Sequence, residues 1–173
     1  MTRIALALIL ALAAASPALA RQAPEPAREV DAARLYSGRW LEVGRRPMWI
    51  TKGCVAGATD YTRRADGKVD VRDTCRQGGP DGKERAISGV GTIRDPGTDA
   101  KLSVRYNAFV TWDYWILDHD PDYSWFISAD PKFRNIFLYT RKAPTPAELK
   151  DLTRRAQALG YDPADIEYPP TAP

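Results

Sequence analysis

Hydrophobic and polar residues take turns along most of this chain. In Val69-Asp70-Val71-Arg72-Asp73-Thr74-Cys75-Arg76 every second side chain can enter a core while its neighbours meet water. That is the two-residue period of a strand with one buried face. Segments of this kind fall at about 39–46, 54–63, 68–76, 85–94, 101–110, 114–119, 124–129 and 135–141. Turn-forming residues stand between them: Ala65-Asp66-Gly67-Lys68, Gln77-Gly78-Gly79-Pro80-Asp81-Gly82, Asp95-Pro96-Gly97, Asp118-His119-Asp120-Pro121-Asp122 and Asp130-Pro131. Eight short strands at this spacing predict an all-β fold, an up-and-down barrel or a sandwich.

The period changes to that of a helix once, near the end. Thr145-Pro146-Ala147-Glu148 has the form of a capping box with proline at the first helical position. Leu149, Leu152, Ala156 and Leu159 then recur on one face, and Gly160 stands where a helix C-terminus takes a left-handed residue. A single amphipathic helix after eight strands lays its apolar stripe on the outside of the sheet. Residues 31–36, DAARLY, can close one further helical turn. The Pro- and charge-rich stretch 21–30 reads as flexible, and the Pro-rich tail 163–173 predicts no regular structure. One folded domain over 31–162 remains.

Residues 1–20 read as a secretory signal peptide. Arg3 supplies the positive start, residues 4–15 an apolar run too short to span a bilayer, and Ala18-Leu19-Ala20 a cleavage site. No cysteine lies near that site, so the expectation is a soluble exported protein, periplasmic in a bacterium, without a lipid anchor. The formal net charge is only +3, and no basic block of the kind that binds nucleic acid is present. The two cysteines, Cys54 and Cys75, predict one disulfide in an oxidising compartment, with two free thiols as the alternative. On the chain-entropy view such a bond stabilises by roughly 3 kcal/mol. Five Trp, eight Tyr and four Phe concentrate between 106 and 139. An eight-stranded barrel is just wide enough to be filled by such side chains or to hold one small ligand, and composition alone does not choose between the two.

Gly38-Arg39-Trp40, inside DAARLYSGRWLEVGR (31–45), resembles the G-x-W signature of the lipocalins, which lies on the first strand after a short helical turn. KGCVAGATDYTRRADGKVDVRDTCR (52–76) is similar to the second and third strands of bacterial lipocalins and apolipoprotein D. DYWILDHDPDYSWFISADP (113–131) resembles their central hairpin, and FLYTRKAPTPAELKDLTRRAQALGYD (137–162) their last strand, its Arg and the C-terminal helix. The chain departs from the pattern at Leu41, where Tyr is frequent, and in Thr111-Trp112-Asp113-Tyr114, a loose form of a common motif. The resemblance implies an eight-stranded antiparallel up-and-down barrel with one C-terminal helix packed outside.

It also implies that Arg141 lies across Trp40 at the closed end, with Gly38 admitting the backbone to that corner. A guanidinium over an indole is favourable by ~0.5–2 kcal/mol. Strand parity then turns Trp40, Glu42 and Gly44 inward and Leu41 and Val43 toward the helix. The expected cavity wall is Tyr61, Trp112, Trp115, Trp125, Phe137 and Tyr139, with Glu42 and Asp73 as polar contacts, each with plain core or rim as the alternative. For Glu42 a pair with a neighbouring Arg or Tyr is favoured over a ligand headgroup. The function implied is binding, storage or transport of a small hydrophobic ligand, a fatty acid, lysophospholipid or similar lipid, in the cell envelope. Transient membrane contact fits such a carrier. No cofactor, metal or nucleic acid is expected, and the oligomeric state is not legible. The alternatives are a barrel packed solid, serving as a structural protein, and an enzyme using Asp118-His119-Asp120, which otherwise reads as a solvated turn.

Overall fold

The alternating segments do become strands, and the sheet closes on itself. A computed structural model describes residues 22–171; the expected signal peptide lies outside the described residues. The strands are β1 (Gly38–Arg45), β2 (Cys54–Arg63), β3 (Val69–Gln77), β4 (Glu84–Ile93), β5 (Lys101–Arg105), β6 (Thr111–His119), β7 (Trp125–Ala129) and β8 (Ile136–Thr140). Each pairs antiparallel with its neighbours in sequence, and β8 returns to β1, so the barrel is closed. Closure leaves no open edge for another chain to pair with.

The expected strand 101–110 is shorter than its alternation suggests. It ends at Arg105, and Tyr106–Val110 make a hairpin turn in which the Tyr106 N–H donates to the Val110 carbonyl at 3.0 Å. Asn107 holds the turn: its Oδ1 accepts from the N–H groups of Phe109, at 2.8 Å, and Val110, at 2.9 Å. A side-chain amide stands in for a backbone carbonyl there, so no Gly or Pro marks the turn.

Two cores result. Inside the barrel, Leu35, Tyr36, Trp40, Tyr61, Val69, Val71, Leu102, Val104 and Phe126 pack together. Outside it, Val43, Leu117, Ile127, Ile136 and Leu138 meet Leu152 and Ala156 of α2 (Pro146–Ala158, with α1 being Ala32–Leu35). The helix begins as its sequence dictates, with Thr145 Oγ1 accepting from the Glu148 N–H at 3.3 Å and Glu148 Oε2 accepting from the Thr145 N–H at 2.7 Å. Leu41 packs partly against the same outer cluster, so Leu41 and Val43 do face the side of the sheet that carries the helix.

The two stretches expected to be loose are packed where they are described. Val30 is buried and its N–H donates to the Thr98 carbonyl at 2.8 Å, while the Ala23 N–H donates to that of Pro131 at 3.1 Å. In the tail, a 3₁₀ turn at Pro163–Asp165 leads to an isolated bridge between Glu167 and Arg45. Proline removes donors but leaves carbonyls; Pro170 uses its own to accept from the Ala56 N–H at 2.7 Å.

Candidate functional site

One end of the barrel is stoppered. The Arg141 guanidinium carbon sits 3.5 Å from the centre of the Trp40 ring. Its Nη1 donates to the carbonyls of Ser37 (2.8 Å) and Arg39 (2.9 Å), and its Nη2 to that of Arg34 (2.9 Å). Trp40 is fully buried, donates through Nε1 to the Leu35 carbonyl at 2.9 Å, and meets Phe126 edge-on with ring centres 4.6 Å apart. Gly38 is needed here for its φ of +64° rather than for space, since a Cβ would stand an ordinary 3.5 Å from Arg141.

Above this plug the barrel is hollow. A cavity of about 340 Å³ opens between the β1–β2 loop and the β5–β6 turn. Met48, Ile50, Ile87, Val110, Trp112 and Phe137 supply its apolar surface, and Arg85 stands at its mouth. Volume and lining fit the range of small-molecule sites.

One wall of the cavity is polar. Glu42 Oε1 accepts from Arg45 Nη1 at 2.5 Å, and neither side chain is more than 13% exposed. Arg45 also donates through Nε to Glu167 Oε1 (2.7 Å) and through Nη2 to the carbonyls of Cys54 (2.7 Å) and Thr51 (3.4 Å). Burial raises the Glu42 carboxyl above its usual range, and the Arg45 charge partly offsets this. Among the described residues no cation pairs with Asp73. Its Oδ1 accepts from Thr59 Oγ1 at 2.6 Å and its Oδ2 from the Tyr106 hydroxyl at 2.5 Å. Desolvation pushes its carboxyl up while those two bonds pull it down. Tyr106 and Tyr114 join oxygens at 3.0 Å, and Thr59 Oγ1 lies 3.4 Å from the Tyr139 hydroxyl. Burial raises all three phenols, Asp73 adding to the effect, so they stay protonated.

Backbone irregularities create the Glu42–Arg45 pair. A bulge between Glu42 and Gly44 shifts the register of β1 against β8. Gly44, expected inward, therefore turns out toward Leu138 and Tyr168, and Arg45 turns in. A second bulge between Val55 and Ala58 brings Gly57 beside the carboxylate, where a Cβ would stand 2.8 Å from Glu42 Oε1. Ala56 adopts a φ of 50° in that bulge. Its N–H is the one held by Pro170.

Of the expected cavity residues, Glu42, Asp73, Trp112, Phe137 and Tyr139 line the space. Three do not. Trp115 and Trp125 pack on the outer cluster, with Lys101 Nζ 4.0 Å from one ring centre and the Arg155 guanidinium 4.6 Å from the other. Each stands next to an inward residue of its strand, Trp115 just after Tyr114 and Trp125 just before Phe126, and consecutive side chains face opposite ways. Tyr61 points inward but sits below the cavity, edge-on to Tyr36 at 5.7 Å; its register opposite Gly38 places it in the plug. Counting by two from Trp112 finds Tyr114, and from Asp73 finds Cys75. Counting by two from Val104 in the expected strand 101–110 likewise reaches Tyr106, whereas Arg45 and Met48 carried no signal, because a bulge and a loop put them there.

Cys54 and Cys75 are bonded, joining the first residue of β2 to β3 beside the cavity with Cα atoms 5.4 Å apart. The reading of Asp118–Asp120 as solvated is corrected at its centre. His119 is 7% exposed, stacks on Tyr123 at 4.8 Å, and sets its ring nitrogens 3.0 Å from the Asp120 carbonyl and 3.2 Å from that of Glu29. Among the described residues no cluster of His, Cys, Asp and Glu has the makings of a metal site, and no helix is long and apolar enough to cross a membrane.

A closed barrel, plugged at one end and hollow at the other, defines a small-molecule-binding class of protein. A family model described as a lipocalin-like domain matches residues 30–171. The chain is 31% identical over 145 residues to temperature-induced lipocalin-1 of Arabidopsis thaliana, covering 78% of this chain and 76% of that one. Among solved structures, Per a 4 from cockroaches superposes with a TM-score of 0.68 at 14% identity, covering 88% of this chain and 96% of that chain. Insecticyanin from the tobacco hornworm Manduca sexta gives 0.66 at 13%, covering 88% and 87%, and lobster apocrustacyanin A1 gives 0.61 at 17%, covering 88% and 92%. At these identities the structures speak for the fold alone. The chain belongs to the lipocalin family, whose members generally bind small hydrophobic ligands and are generally not enzymes.

Proposed function

We propose that this protein binds and carries a single-chain amphiphile of the lipid class, such as a fatty acid, a lysophospholipid or a relative of either, in the cell envelope. The observation that carries the reading is the cavity of about 340 Å³ between apolar residues of the barrel interior. Each methylene that leaves water for it contributes about 0.8 kcal/mol. The Cys54–Cys75 bond and the leader-like residues 1–20 support an exported, oxidising location. Trp49 and Phe109, 88% and 97% exposed, flank the mouth residues Met48, Ile50 and Val110, which supports transient contact with a lipid surface during loading. Tryptophan fluorescence on adding a panel of such amphiphiles tests the reading. The emission shifts or is quenched, Trp112→Phe removes most of the response, and Trp125→Phe keeps it. No response to any member of the panel favours a barrel that acts as a structural protein.

A further inference from the structure

We infer that the polar wall around Asp73 is a subsite for a cationic, hydrogen-bond-donating end of the ligand, a primary ammonium carried on an apolar chain. This rests on the reading of the cavity as the binding site and names the chemistry that fills its inner part. Hydroxyl protons in this wall run toward one acceptor. Thr59 has one proton and directs it to Asp73 at 2.6 Å, so in its 3.4 Å contact with Tyr139 the phenol is left to donate. Tyr106 likewise gives its proton to Asp73 at 2.5 Å, so Tyr114, 3.0 Å from Tyr106, is the donor of that pair. Four hydroxyls are thereby spent. Asp73, with room for about four hydrogen bonds on its two oxygens, has accepted two.

Among the described residues the wall holds acceptors in surplus and no free cation. Glu42 lies on the same surface, and Arg45, the one basic group beside it, has four N–H contacts already made to Glu42, Glu167, Cys54 and Thr51. Two carboxylates against one committed guanidinium leave a negative potential inside a low-dielectric barrel. Arg85, the next basic side chain on the cavity surface, stands at the mouth and donates to Gln77 Oε1 at 3.1 Å. A ligand carboxylate pushed inward would meet Asp73 with no donor to receive it. An ammonium brings three donors and the opposite charge, while Trp112 and Phe137 take up its chain.

Calorimetric titration of the native protein with decylamine, decanol and decanoate at neutral pH, each below its micelle concentration, tests this. Decylamine is expected to bind about tenfold or more tighter than decanoate, with decanol between them. Asp73→Asn is expected to bring the amine-to-alcohol ratio close to one. Decanoate binding as tightly as decylamine to the native protein overturns the ammonium subsite while leaving the cavity as a lipid site. So does an amine preference that survives in folded Asp73→Asn. Failure of all three to bind overturns both readings. The ordering on the native protein decides the matter even if the variant does not fold.

Discussion

At the stoppered end Arg141 lies on an indole and gives its protons to three backbone carbonyls, all between residues 34 and 39. In the hollow half Arg45 gives its own to two carboxylates and two carbonyls, drawn from β1, from the segment Thr51–Cys54 and from the C-terminal tail. Both guanidiniums are well satisfied, but the sources differ. Neutral carbonyls from one short stretch make a rigid plug that needs nothing from a ligand. Charged partners gathered from distant segments make a wall with acceptors left over. In this barrel, aromatic and backbone partners secure one end, and desolvated acids equip the other.

Substitutions can break that contrast. Trp40→Ala is expected to cost most, about 3–5 kcal/mol of stability, because it empties the centre of the plug. Denaturant unfolding measures it, and a cost below about 1 kcal/mol would deny the plug its role. Arg45→Met is next, at about 3 kcal/mol, since it leaves Glu42 buried and unpaired. Glu42→Gln in the same chain is expected to recover most of that loss. If the double variant is no more stable than Arg45→Met, then Arg45 matters through its carbonyl contacts instead. Arg141→Ala is expected to lower stability by ~1–3 kcal/mol without abolishing amphiphile binding. Unchanged melting with lost binding would mean that the two ends have been assigned the wrong way round.

The smallest effect has the opposite sign. Burial raises the Asp73 carboxyl in the folded chain above its value of 3.8 for a free side chain. The folded state therefore holds this proton more tightly than the unfolded state does. The stability this provides is complete below 3.8 and is lost as pH climbs through the raised folded value. At neutral pH Asp73→Asn is thus expected to raise the melting temperature by a few degrees, and the gain should fade as the pH is lowered toward 3.8. A loss of stability at neutral pH would mean that the hydroxyl bonds outweigh the desolvation.

The eight strands and the capped helix over 146–158 follow from features local in the chain, a two-residue period and a capping box. The Trp40–Arg141 contact was implied by the family resemblance, and the Cys54–Cys75 bond by a pair of cysteines in a chain read as exported. The cavity wall was only partly legible. Parity within a strand is a local rule and places Trp112, Phe137 and Tyr139 correctly; applied strictly, it also moves Trp115 and Trp125 to the outside. It fails wherever the backbone adds a residue. Nothing in Glu42-Val43-Gly44-Arg45 announces the bulge that turns Arg45 inward, because the bulge answers to its partners, Leu138 on the neighbouring strand and Glu167 in the tail. Which face a residue shows its neighbours is set by alternation and can be read along one strand. Which charges share a cavity is set by how eight strands close, and only the closed barrel brings Asp73 within reach of Tyr106.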